Sequence, residues 1–276
     1  MKFASAAVSE LTTGFDPLED SCAAVADGLV EQLAEQLGDD QPPDLLIFFN
    51  ASNPRAPMHG REVAAQLRER CAARWGPAAK PPVVLGASWG CDGPGTGVIG
   101  GSTAEGEGDP AGCQEIQQQP ALTVLGASLP GVRVMPFHAE PEHDGLPRLV
   151  GSGSPSWAEL ALLPAADTGH VVLLTDPSAF GMGRYSDTIL KYFDNALPFA
   201  TKVGGLVPGG GLIYLHCDAS DNGANEASFV GDQGQDEGMS YVIQGVGGVV
   251  LQGNIEVDTL VRIDLPDLRT LVNINT

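Results

Sequence analysis

The chain has 276 residues, enough for one large domain or two smaller ones with ample core. Its 35 acidic and 14 basic residues leave a formal charge of −21, the wrong sign for a surface that grips nucleic-acid phosphates. No apolar run is long enough to cross a bilayer, so the composition predicts neither a nucleic-acid partner nor membrane insertion.

The first predicted element is a strand over Phe3–Val8. Asp16-Pro17 then opens a helix that runs to about Leu37, with Leu18, Cys22, Val25, Leu29, Leu33 and Leu37 on one face. Glu31 and Glu35 fall on its solvated face, and Gly38 is placed to end it. Asp44-Leu45-Leu46-Ile47-Phe48-Phe49 is a continuous apolar run, the pattern of a strand covered on both faces. A turn-rich loop, a second helix over Arg61–Trp75 and its stop at Gly76-Pro77 come next.

A strand from Val83 leads into a glycine-dense loop up to Gly101, and Glu105–Pro120 reads as a mobile surface insertion. Ala121–Ala127 and Val132–His138 are predicted as an antiparallel pair joined by Ser128-Leu129-Pro130-Gly131. A Pro/Gly/Ser-rich connector spans about Glu140–Ser156, with a short helical piece at Trp157–Leu163.

The order then begins again. His170–Thr175 is a buried strand, and Tyr185–Leu197 is a helix with Ile189, Leu190, Phe193 and Leu197 inward. Lys202–Val207 and Leu212–Cys217 are strands around Pro208-Gly209-Gly210-Gly211. Asp218–Gly238 is an acidic, loose insertion, and Val246–Leu251 with Ile255–Ile263 forms a final hairpin about Gln252-Gly253-Asn254. Two halves of like order, about 1–139 and 157–265, predict an α/β fold: pseudo-duplicated units with mixed β-sheets flanked by helices in a layered sandwich.

Cys22, Cys71, Cys91, Cys113 and Cys217 are odd in number and contain no C-x-x-C, which predicts a reducing compartment and no disulfide framework. The opening Met1–Ala6 has neither a long apolar signal core nor a transit-like composition. The expected setting is soluble and intracellular, cytoplasmic first, with a plastid as the other compartment left open.

Two motifs invite catalytic readings. Gly86-Ala87-Ser88-Trp89-Gly90 matches G-x-S-x-G after a strand, but a nucleophile elbow needs a helix next, and Cys91-Asp92-Gly93-Pro94-Gly95 does not open one. Asp176 and His216 are the residues that fall in order for the rest of a triad on Ser88. Gly95-Thr96-Gly97-Val98-Ile99-Gly100 matches G-x-G-x-x-G, yet the adjoining stretch Ser102–Gly108 is no helix to meet a pyrophosphate. His59, His138, His143, His170 and His216 have no ligand spacing, and Asp218, Asp221, Asp232 and Asp236 lack the calcium-loop pattern. No metal and no cofactor are expected. Asp176-Pro177 closes a buried strand, where α/β sheets tend to place ligands, and Gly204-Gly205 offers bare backbone.

These stretches together resemble the FIST domain family (F-box and intracellular signal transduction), in its N-terminal FIST part. The matching pieces are Phe3-Ala4-Ser5-Ala6, Asp44–Phe49, Gly86-Ala87-Ser88, Gly97-Val98-Ile99-Gly100-Gly101, Ala121–Val124, Leu129–Val132 and Pro136-Phe137-His138. They continue through Leu174-Thr175-Asp176-Pro177, Lys202–Leu206 and Gly247–Leu251. The resemblance implies one such domain over 1–276: a non-enzymatic sensory or small-ligand-binding module in signal transduction, with amino acids as a candidate ligand class. It makes Gly86, Ser88, Gly97, Gly100, Gly101, Asp176, Gly204 and Gly205 the candidate ligand-binding residues, with Asp176 available to an ammonium group. The alternatives are an adaptor subunit that uses the same surface against a protein partner, and a serine hydrolase on Ser88.

Overall fold

The computed structural model describes residues 1–9, 18–52, 60–76, 79–90, 97–100, 114–117, 120–140, 146–150, 169–176, 184–207, 211–218, 238–243, 245–255, 260–265 and 268–273. The chain begins β1 (Lys2–Ser9), α1 (Leu18–Leu37), β2 (Leu45–Ser52), α2 (Gly60–Trp75) and β3 (Val83–Gly90). Next come β4 (Gly97–Gly100), β5 (Gln114–Gln117), β6 (Ala121–Ser128), β7 (Val132–Ala139) and β8 (Arg148–Leu149). The second half continues with β9 (His170–Thr175), α3 (Arg184–Ala196), β10 (Lys202–Leu206), β11 (Leu212–Asp218), β12 (Gly238–Ile243) and β13 (Val246–Gly253). Among the described strands, β14 (Leu260–Leu265) and β15 (Leu268–Asn273) pair only with each other.

Two mixed sheets carry the fold. The first has six strands in the order β1-β6-β2-β3-β11-β12, and the second has five in the order β10-β9-β13-β7-β8. Side chains alternate across each strand, so each face has its own partner. On β2, Leu46 and Phe48 join α1 and α2 in one core with Leu29, Leu33, Val63 and Leu67. Leu45, beside Ile47 and Phe49, faces the other way into a core shared with Leu174, Val249 and Leu251 of the second sheet. α3 covers the far side of that sheet through Ile189, Phe193 and Leu197, against Phe137, Val171 and Val250. The layers are therefore helix, sheet, sheet, helix: an α/β sandwich.

The two halves repeat one plan. β1-β6-β2-β3 and β7-β13-β9-β10 have the same order and the same sequence of antiparallel, antiparallel and parallel pairings. Each parallel pair is joined through one helix, as parallel strands require. The first half gains two more strands, because β11 adds antiparallel to β3 and β12 adds to β11.

Helix ends follow from local chemistry. Gly38 at φ +97° and Gly76 at φ +86° take the left-handed conformation, and their N–H groups donate to Ala34 O (2.8 Å) and Ala72 O (3.0 Å). That closes the last carbonyls of α1 and α2 at little steric cost. Arg68 of α2 forms an ion pair with Asp218 at the end of β11, tying the added strand to the helix layer.

Several expectations need correction. β6 and β7 are strands but not partners: β6 lies between β1 and β2, and β7 between β13 and β8. Their turn carries the chain from one sheet to the other, held where Leu129 N–H donates to the Asp44 carboxylate at 2.6 Å. Likewise β13 pairs with β7 and β9 rather than with the segment after it, and the last hairpin is β14–β15. The stretch whose composition predicts a mobile insertion contains β5, which among the described strands pairs with β4 alone. Part of the connector forms β8 against Phe137 and His138. β3 runs straight through Gly86–Gly90, so the bare-backbone bend expected there is extended strand. Leu190 is exposed rather than inward, because one residue past Ile189 turns the side chain about 100° around the helix. Asp16-Pro17, Trp157–Leu163, and Asp221, Asp232 and Asp236 lie outside the described residues.

Gly86 shows how tightly the first half is filled. Phe48 of β2 and Tyr214 of β11 flank it in register, and their rings stack at a centroid distance of 6.1 Å. A methyl group on Gly86 would enter the Phe48 ring. Gly86→Ala is expected to cost about 1–3 kcal/mol by overpacking. Gly28, in α1 with open space around it, is the control. Gly28→Ala is expected to raise stability by up to about 1 kcal/mol. Thermal denaturation checks both, at about 2–4 °C per kcal/mol for a chain of this size.

Candidate functional site

A cavity of about 250 Å³ opens along β10, beside the parallel β9–β10 pair. Its floor is Leu173 and Thr175 of β9 with Val246 of β13. Ile189 and Leu190 of α3 form one wall, and Lys202 through Leu206 form the other. Binding pockets for drug-sized ligands are about 300–1,000 Å³, so this one suits a group the size of a single aromatic ring or aliphatic side chain.

The local sequence explains the opening. β10 reads Lys-Val-Gly-Gly-Leu, so its middle offers no side chain to cover β9. A Cβ on Gly204 would collide with the Leu173 carbonyl oxygen, whereas one on Gly205 would meet nothing. Gly204 is thus fixed by close backbone approach, and Gly205 borders open space. Gly204, Gly205 and Leu206 are exposed, Leu206 by 68%. Lys202 Nζ forms an ion pair with Asp194 of α3 at 2.8 Å, bracing helix against strand.

The candidate residues separate. Gly204 and Gly205 line the cavity, and Asp176 does not. Asp176 is buried at the end of β9, where its N–H donates to Gly245 O at 2.8 Å. Gly86 is closed by Phe48 and Tyr214 in the other sheet. Ser88, two residues further on, is buried and accepts a hydrogen bond from Asn50 Nδ2 at 3.1 Å. Gly97 and Gly100 belong to β4, which packs against β1, β2 and β6 of the first sheet. Gly101 lies outside the described residues. The two glycine stretches therefore sit on different sheets.

The same placement bears on the motifs. Ser88 occupies a strand that continues to Gly90, not a turn into a helix. His216 stands opposite Val84 and so lies four residues along β3 from Ser88, roughly 13 Å at about 3.3 Å per residue. Gly97–Gly100 is a strand where a dinucleotide fingerprint needs a helix start. Among the described residues no group of three or more His, Cys, Asp or Glu side chains is placed to hold a metal ion. No helix among them is long and apolar enough to cross a membrane.

The sequence reading missed Leu173, Thr175, Leu190 and Leu206 as cavity residues. An available signal was strand alternation: Leu173 and Thr175 share one face, and Gly204 pairs with Leu173 on it. Comparison with models of known protein families gives no match, and comparison with curated proteins gives none either.

Burial fixes the thiol chemistry. Desolvation pushes Cys22, Cys71 and Cys217 up to about 12; Glu62 adds to the rise at Cys22, and Arg68 opposes it at Cys217. All three thiols stay protonated through neutral pH and lack the thiolate that alkylating reagents need. Iodoacetamide at pH 8 is expected to leave them unmodified in the folded chain and to label them in denaturant, read by peptide mass spectrometry. Labelling of Cys217 in the native state would contradict this.

Proposed function

We propose that this chain is a non-enzymatic recognition module of FIST type, acting as a soluble intracellular component of signal transduction. Its ligand site is the cavity beside β10, and the ligand presents an apolar group of amino-acid side-chain size. The observation that carries this is the placing of Gly204 and Gly205 beside an apolar hollow lined by Leu173, Val246 and Ile189, next to a parallel strand pair. Candidate ligands are free amino acids with large apolar side chains. Ser88 has no catalytic part in this reading, in keeping with its buried position in mid-strand. Asp176 is not assigned to an ammonium group, since it borders the β13 connection instead.

An adaptor role is the second reading. Leu190, Leu206 and Phe199 are exposed large apolar side chains on α3, on β10 and in the connection between them. Exposed apolar side chains of that kind suit a protein surface as well as a small molecule.

A thermal-shift screen with free amino acids and N-acetylphenylalaninamide tests the cavity. A ligand at 100 times its Kd stabilises by about 2.7 kcal/mol, which raises Tm by several degrees. Leu190→Trp, on the exposed wall of the cavity, is expected to fill it and abolish that rise while keeping the unliganded Tm within about 2–4 °C. A shift that survives Leu190→Trp would place binding elsewhere.

A further inference from the structure

We propose that the edge of β10 that no described strand covers receives an extended, uncharged or basic segment of another protein as an added antiparallel strand, with a large apolar or aromatic side chain seated in the cavity opposite Gly204. This rests on the reading of the cavity as the recognition site and names what fills it.

The first half shows the filled form of the same arrangement. Across the first sheet one row runs Ala6, Val124, Phe48, Gly86, Tyr214. Across the second the matching row runs Phe137, Gly248, Leu173, Gly204, and among the described residues no strand lies beyond it. Gly86 and Gly204 hold the same place, each on the strand that is parallel to its neighbour. Beyond Gly86 an antiparallel strand supplies Tyr214, whose ring stacks on Phe48 and fills the space under Gly60 of α2. Beyond Gly204 the corresponding space is the cavity under Ile189 and Leu190 of α3.

The backbone agrees. Val83 N–H donates to Asp44 O, so the odd residues of β3 bond to β2 and the even ones, Gly86 included, bond to β11. On β10, Val171 N–H donates to Thr201 O and Val207 N–H to Thr175 O. Alternation then turns the groups of Lys202, Gly204 and Leu206 toward the open edge. An incoming residue opposite Gly204 thus exchanges both backbone hydrogen bonds with it while its side chain enters the cavity, the usual mode of strand addition.

Charge and chemistry choose the occupant. A second copy would bring −21 against −21, and its own β10 would set glycine against glycine with nothing for the cavity. A neutral or basic segment from a different protein meets neither obstacle.

The test uses fluorescence anisotropy on the full chain with the blocked heptapeptide Lys-Thr-Val-Phe-Val-Thr-Lys. The expected result is saturable binding that weakens at least tenfold when Phe becomes Ala and when the Phe amide is N-methylated. N-methylation of the following Val, whose amide faces away, is expected to change it little. Replacing both Lys by Glu is expected to weaken binding. On the protein, Leu206→Pro removes one edge N–H, as edge strands tolerate. That variant is expected to lose peptide binding at least tenfold. Equal binding of the peptide methylated at Phe, or undiminished binding to Leu206→Pro, overturns strand addition. So does a Tm rise with N-acetylphenylalaninamide but no peptide binding, which leaves the cavity reading standing. Binding of neither overturns both. Concentration-dependent dimerisation through β10, seen by sedimentation and lost in Leu206→Pro, overturns the choice of partner.

Discussion

Burial on both faces is the constraint on which the rest of this molecule depends. Two sheets lie against each other, and each is covered by helix on its other side, so most of a central strand is shielded from water. Leu46 and Phe48 must be apolar for the helices, and Leu45 and Ile47 for the opposite sheet. Where both faces are filled, two large residues cannot stand side by side in every row. One strand must yield, and in the first half it is β3 at Gly86. Phe48 then spreads over the vacated place and reaches Tyr214, so one missing side chain joins three strands through two rings. Burying a ring of that size is worth about 1.5–3 kcal/mol, more than the strand loses by having glycine there.

The second half obeys the same constraint with a different remainder. Phe137 spreads over Gly248 and meets Phe193 of α3 edge-on at 5.1 Å, so the inner end of the row is closed. The outer end stops at Gly204 because the strands that would continue it, β11 and β12, are used on the first sheet. The counterpart hairpin in chain order, β4–β5, packs against β1, β2 and β6 and leaves β10 alone. Duplication with unequal use of one hairpin gives one sheet a finished edge and leaves the other with none described beyond β10. The cavity is the volume of that difference.

Much of this was legible in the residues. The apolar run at Asp44–Phe49 stated a strand with two dry faces, and Cys22, Leu29, Leu33 and Leu37 stated the buried stripe of α1. The repeat of strand, helix and strand stated the duplication. Which strands pair across the sheets was not legible, because Ala121–Ala127 and Val132–His138 satisfy a hairpin pattern and a sheet-crossing pattern equally well. What decides is Asp44, 85 residues away from the Leu129 N–H it receives. The glycines misled for a related reason. A bare backbone at Gly86 and at Gly204 reads identically in sequence, yet one is roofed by Phe48 and the other faces solvent, and only the neighbouring strands tell them apart.

An open edge has to be kept from joining indiscriminately, and β10 is built for that. It is five residues long, holds two glycines that weaken any flat apolar match, and begins with Lys202, whose ammonium group is engaged by Asp194. Gly204 and Leu206 are exposed, so an unpaired backbone group there costs little in water. What the edge lacks for strong pairing is side-chain contact, and the cavity beside it supplies that contact at a single position. Backbone pairing alone would accept any extended chain, and a ring-sized hollow alone would accept any small apolar molecule. Held together in register at Gly204, the two demand a strand with its large residue in one place, which is how a weak edge becomes a selective one.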